Sequence, residues 1–157
     1  MHNKRIYNIK LIIKRLKDYC ALQDKCQWDI EQKMEKWNLP KISQDYILKV
    51  LIQEQYIDEA RYSKTFCRGK FKIKKWGKIK IANELKRKKI SALYIAKALT
   101  EISDLEYTQE LEKQYQKKIA TIKEKNHFIK KKKIATYLIS KGYENNLVWD
   151  KVRAFTE

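Results

Sequence analysis

The segment IANELKRKKI, Ile81 to Ile90, has an apolar residue at its first position, a large apolar residue four later and another five after that. The first two share one face of a helix. The last lies just past the helix end, where it can close over the next helix. The same spacing recurs in IEQKMEKWNL, Ile30 to Leu39, and in IATYLISKGY, Ile134 to Tyr143. A second apolar helix is expected after each copy, at Ile47-Val50-Leu51, Ile95-Ala98-Leu99 and Val148-Val152; the first copy has three extra residues around Pro40. A helical pair repeated three times argues for stacked helical units and a long surface rather than one deep pocket.

Outward from these segments, apolar residues keep helical spacing nearly everywhere. Three Gly and one Pro in 157 residues are too few for a strand-and-turn fold. The pattern predicts an all-α chain. Helices are expected from about Tyr7 to Gln23, Gln27 to Trp37 and, capped by Ser43, Gln44 to Gln55. Asp58 caps the next, which carries Ala60, Tyr62, Phe66 and Cys67. Residues 74–88 follow, then Ala92 to Glu101 capped by Ser91, a charged helix from Asp104 to about Lys123, Phe128 to Ser140 and Asn145 to Phe155. Gly142 stands where a left-handed residue ends a helix.

Charge narrows the partners. Lys and Arg exceed Asp and Glu enough for a net charge of +18, which favours a polyanion. Between Phe66 and Lys89 lie eleven Lys or Arg and one acid, Glu84, with apolar residues interspersed as a disordered basic tail does not require. The stretch reads either as a well-solvated helix or as a surface that grips phosphates. Trp76 reads either as core or as a ring that stacks on a base or meets the partner. Lys130 to Lys133 read as a solvated helix end or as an extension of the same face.

The residues of enzymes are missing. Three Gly cannot build a phosphate-cradling loop. His2 and His127 are isolated from any nucleophile signature. The carboxylates alternate with Lys along helices, as in DKCQWDIEQKMEKW, which is the pattern of a solvated face. Cys20, Cys26 and Cys67 have no usual zinc spacing and read as small buried hydrophobes. No apolar run approaches a membrane span, and no cleavable leader is seen. The expectation is a reduced, cytoplasmic, non-enzymatic protein without metal or cofactor.

The run LIQEQYIDEARYSKTFCRGKF, Leu51 to Phe71, resembles the signature of the RecX family of RecA regulators. The matching positions are Tyr56, Ile57, Asp58, Glu59, Ala60, Arg61, Tyr62 and Ser63, then Arg68, Gly77 and the closing Leu85 to Ile90. YCALQDKC, Tyr19 to Cys26, and YLISKGYENNLVW, Tyr137 to Trp149, resemble the Bacteroidetes branch of that family. Gln55 and Lys89 stand where the family usually has Gly, so local differences in those two turns are expected. The resemblance implies tandem three-helix repeats forming an elongated, curved helical protein. Residues 1–26 would lead into the first repeat, 27–73 form it, 74–125 form the second and 126–157 a shortened third.

It also implies the function. Such proteins lie in the groove of the RecA–DNA filament and inhibit its extension, ATPase, strand exchange and co-protease activity. They thereby regulate homologous recombination, DNA repair and the SOS response. The expected partners are the RecA filament and single-stranded DNA, with no membrane, and the chain is expected to be a monomer. The expected contact residues are Arg61, Arg68, Lys72, Lys74, Lys75, Trp76, Lys78 and Lys80, with Lys130, Lys131, Lys132 and Lys133 secondary. The different-class alternative is a basic helical module that binds single-stranded nucleic acid without RecA as its target.

Overall fold

A computed structural model describes residues 8–155 of the chain. Tyr7, the expected start of the first helix, and His2 lie outside the described residues. Within them the secondary structure is helical throughout: α1 (Ile9–Leu22), α2 (Gln27–Lys36), α3 (Lys41–Gln53), α4 (Glu59–Lys72), α5 (Lys78–Arg87), α6 (Ala92–Leu99), α7 (Asp104–Thr121), α8 (His127–Ser140) and α9 (Asn145–Arg153). The all-α reading of the sequence holds. The chain divides into two compact units, Met1–Thr65 and Phe66–Glu157, the division falling within α4.

Each spacing-derived repeat is a helix followed by a turn. Ile30 and Met34 on α2, Ile81 and Leu85 on α5, and Ile134 and Leu138 on α8 are all fully buried. Each helix then ends on a residue with positive φ: Asn38 (54°), Lys89 (60°) and Gly142 (100°). The following residues, Leu39, Ile90 and Tyr143, are buried. Their backbone N–H groups donate to the carbonyls of Met34 (3.3 Å), Leu85 (3.1 Å) and Leu138 (3.2 Å). This is a Schellman closure, in which a left-handed residue lets the chain turn back and satisfy the last helical carbonyls. The apolar residue read as lying past the helix end is the one that this turn delivers to the core.

Gln55 (61°) and Lys89 (60°) take left-handed geometry without glycine. Both side chains are exposed, so nothing crowds their Cβ atoms and the penalty is confined to the backbone, roughly 1–2 kcal/mol each.

Several boundaries move. α3 starts at Lys41 behind Pro40, not at Gln44 behind Ser43. Proline's fixed φ suits helix entry, and its missing N–H would be unpaired there anyway. Buried Gln44 donates to the Leu39 carbonyl at 2.9 Å instead of opening the helix. α5 begins at Lys78 rather than at residue 74, because Lys75 takes a φ of 61°. α7 starts at Asp104 as expected, with Ser103 before it and Glu106 forming a reciprocal capping box. Asp58 and Ser91 cap as expected, accepting from the N–H groups of Arg61 (2.9 Å) and Tyr94 (3.4 Å).

The first unit's core joins Leu16 and Cys20 of α1, Ile30 and Met34 of α2, Ile47, Leu48 and Leu51 of α3, and Ile57. In the second unit, Cys67, Phe71, Ile81, Leu85, Ile95, Tyr107, Leu111, Ile134, Tyr143 and Val148 are buried. Cys20, Cys26 and Cys67 are buried free thiols, as the sequence reading expects of small hydrophobes. Burial pushes the Cys26 thiol up to about 12 and Cys67 up to about 11, so neither is a ready nucleophile.

Candidate functional site

The basic stretch begins where α4 ends. After Lys72 the chain reverses through Lys75, and the Trp76 N–H returns to the Lys70 carbonyl at 3.1 Å. α5 then starts against the turn between α8 and α9. The Gly77 N–H donates to the Lys141 carbonyl (2.8 Å) and the Ile79 N–H to the Gly142 carbonyl (3.0 Å). The Lys78 N–H donates to the Tyr107 hydroxyl (3.0 Å), which itself donates to Glu144 Oε1 (2.8 Å). The unpaired N–H groups that open any helix are thus satisfied here by residues far away in sequence.

The approach is as close as backbone permits. A Cβ on Gly77 would lie 2.3 Å from the Gly142 carbonyl, and one on Gly142 would lie 2.3 Å from Lys80 Cβ. Two further bonds hold the segment: Lys141 Nζ donates to the Lys74 carbonyl (3.1 Å) and the Tyr143 hydroxyl to the Lys75 carbonyl (3.0 Å).

This anchoring fixes a set of cations. Phe66 and Trp76 meet edge to face at 6.5 Å. Lys70 and Lys80 lie over the Trp76 ring at 4.9 and 4.6 Å, and Lys70 and Lys88 over Phe66 at 5.4 and 5.6 Å. Trp76 is half-buried and carries ammonium groups on its ring. Lys78 lies 4.9 Å from the Tyr107 ring. Lys75 Nζ is 3.7 Å from the buried carboxylate of Glu110, which also accepts from Gln114.

Lys141, at the end of α8, completes the group. Its pKa is depressed first by burial, then by the positive charges of Lys80, Lys117 and Lys75, with Glu110 opposing. Lys141 therefore sits among like charges with one carboxylate to offset them. A surface held in that state gains by binding an anion.

The face continues across Tyr137, whose ring has Lys118 at 4.6 Å and Lys141 at 5.9 Å. Beside it, Lys118, Ile122, Ile129, Lys132, Lys133 and Tyr137 line an open groove of about 480 Å³. The fold thereby brings Lys132 and Lys133 into one groove with Lys118. Lys130 lies over Phe155 at 5.3 Å, Lys131 is half-buried, and Lys133 is 3.5 Å from Glu124. Lys117, Lys118 and Lys141 were missed from sequence. They are scattered through α7 and the α8 terminus, and only the packing of α7 and α8 gathers them.

The two arginines have different surroundings. Arg61 donates through Nη2 to the carbonyls of Gln55 (3.1 Å) and Tyr56 (3.4 Å), and its Nε is 3.3 Å from Asp24 Oδ1. It supports the strained Gln55 turn. Arg68 and Lys72 are exposed on α4, and Lys74 is exposed after it. The charge of Lys72 reaches Glu106, whose own capping bonds to Ser103 are the main cause of its lowered pKa.

Residues 58–99 match the model of the second three-helix domain of RecX, and residues 105–152 that of the third. Together these stretches cover more than half of the chain. Two crystal structures share the fold. One, described as regulatory protein RecX, superposes with a TM-score of 0.84 at 22% identity, covering 94% of this chain and 73% of that one. The other, RecX from Lactobacillus salivarius, gives 0.78 at 19% identity, covering 92% and 94%. No curated protein matches the chain.

Proposed function

The chain belongs to the RecX family, and we propose that it is a non-enzymatic regulator that binds the RecA–DNA filament in its groove. There it inhibits filament extension, ATPase, strand exchange and co-protease activity. RecX proteins are regulatory and non-catalytic. The observation that carries the reading is the lysine face of the second unit, which lies within the matched domains. Burial first, then the charges of Lys80, Lys117 and Lys75, weigh against the charge of Lys141 there, and Glu110 opposes them. Acidic protein surface, filament phosphates or both would relieve that repulsion. Arg68, Lys72 and Lys74 widen the face.

The reading extends to a cytoplasmic, monomeric protein. Among the described residues no helix is long and apolar enough to cross a membrane. The segments Tyr19 to Cys26 and Tyr137 to Trp149 support placing it in the Bacteroidetes-like branch.

RecA ATPase on single-stranded DNA tests the reading. The protein is expected to lower ATPase well below one molecule per RecA subunit, because stopping a growing end affects many subunits. The triple variant Lys80→Gln, Lys117→Gln, Lys118→Gln should need far more protein for the same inhibition. If wild type inhibits only at amounts that saturate the DNA, the alternative of a plain single-stranded nucleic-acid binder replaces this one.

A further inference from the structure

We propose that the first unit carries a nucleobase pocket between α1 and α2, which takes an unpaired base of a single strand on its aromatic walls and the strand's phosphates on lysines. This goes beyond the regulator reading and does not depend on RecA.

The concavity holds about 440 Å³, within the range of small-ligand pockets, roughly 300–1,000 Å³. Tyr19, Trp28 and Trp37 line it together with Asp29, Gln32, Lys33 and Lys36. Trp28, Gln32 and Lys36 succeed one another by one helical turn on α2, and Lys33 and Trp37 form the adjoining stripe. Tyr19 and Trp37 are half-buried and pack against the first unit's core, so both rings are held in place before any ligand arrives. A preset ring costs little conformational entropy on binding.

Charge decides the kind of occupant. Lys33 Nζ is 4.2 Å from the Tyr19 centroid and 6.0 Å from that of Trp37, and Lys25 Nζ is 4.4 Å from Tyr19. A cationic partner would meet three lysines, Lys25, Lys33 and Lys36, against the single carboxylate of Asp29. A purely apolar one would strip their hydration without pairing them. A nucleotide meets both demands: its base replaces ammonium on the ring faces, and its phosphate draws the displaced ammonium outward. Base stacking on aromatic side chains beside a basic track is how sequence-tolerant single-strand binders work. Composition alone assigns the tyrosines to cores. Core packing accounts for Tyr19 and Trp37 but not for Trp28, which completes the concavity with them.

The full chain is tested by fluorescence anisotropy with two labelled strands of equal length and phosphate number. One is oligothymidylate and the other is abasic. Phosphate attraction is common to both, so their ratio isolates stacking. Wild type is expected to bind oligothymidylate about tenfold or more tighter. Trp28→Ala should bring that ratio close to one without weakening abasic binding, and Trp28→Phe should restore it. Should Trp28→Ala fail to fold, photocrosslinking of a 4-thiothymidine strand to wild type decides the matter, with adducts expected on Tyr19, Trp28 or Trp37. Equal binding of the two strands by wild type, a ratio unchanged in folded Trp28→Ala, or adducts confined to the second unit would each overturn the proposal.

Discussion

α2 and α5 occupy the same place in successive repeats, yet their first N–H groups are satisfied by opposite means. α5 opens against backbone: the carbonyls of Lys141 and Gly142 accept from Gly77 and Ile79. α2 opens against titratable side chains. Asp29 Oδ2 accepts from the Cys26 N–H at 3.1 Å, and the Glu59 carboxyl is close enough to the Gln27 N–H for that group to lower its pKa. The comparison teaches that one structural need can be met by geometry, which then forbids a Cβ, or by charge, which then depends on pH. α8 uses a third solution, an Asn126 side chain accepting from the Ile129 N–H at 3.1 Å.

The largest expected effect breaks the α5 arrangement. Gly142→Ala puts a Cβ into Lys80 and imposes a left-handed backbone on alanine, and Gly77→Ala drives a Cβ into the α8–α9 turn. Each should cost roughly 3 kcal/mol or more in urea unfolding followed by circular dichroism. A cost below 1 kcal/mol would mean that the two turns separate easily. Next comes Tyr107→Phe, which leaves the Lys78 N–H and Glu144 without the hydroxyl between them. A loss of about 1–3 kcal/mol is expected by the same measurement.

The α2 arrangement is probed by pH. Burial, followed by the negative charges of Asp29, Glu31 and Asp58, raises Glu59 to about 7 against the Gln27 bond that lowers it. An unfolded carboxyl titrates near about 4.3. Between these values the folded chain holds a proton that the unfolded chain releases, so this contribution to stability falls as pH rises from about 4.3 to about 7 and is flat above. Glu59→Gln should therefore match wild type near pH 4.5 and exceed it at pH 8. The gap is reduced by solvent, because the group is only half-buried. Urea midpoints at the two pH values check this, and a gap of equal size at both would remove Glu59 from the account. Opposite pH contributions from Glu84, Glu106, Glu112 and Glu124, whose pKa values are lowered, cancel in the difference between the two proteins.

The smallest effect sharpens the contrast between Gly142 and its counterpart Lys89. Both are left-handed, but the side chain of Lys89 points to solvent. Lys89→Gly should stabilise by roughly 0.5–1 kcal/mol, the backbone strain relieved less the added freedom of the unfolded chain. Lys89→Ala should change little, and thermal unfolding of the two variants separates strain from side-chain contacts.

Much of this protein was set locally. The spacing of Ile81, Leu85 and Ile90 and its two counterparts determined helix, turn and core residue together, because a helix end and the apolar residue after it are encoded within about ten positions. Asp58 and Ser91 were legible as caps for the same reason. The basic character of residues 66–89 was likewise open to reading, since charge is a property of composition.

Tertiary structure decided what distance in sequence hides. Nothing near Gly77 in the chain announces that its N–H will meet Lys141, some sixty residues on. Lys117, Lys118 and Lys141 join Lys75 and Lys80 only because α7 and α8 pack in the same unit as α5. Arg61 and Arg68 share a helix and a spacing of two turns. Yet Arg61 is occupied by the Gln55 and Tyr56 carbonyls, which the sequence could not assign to it. Local pattern fixes backbone and burial through short-range sterics and the hydrophobic effect. Which charges face one another follows from the packing of whole helices, and the sequence encodes that only through all of its contacts at once.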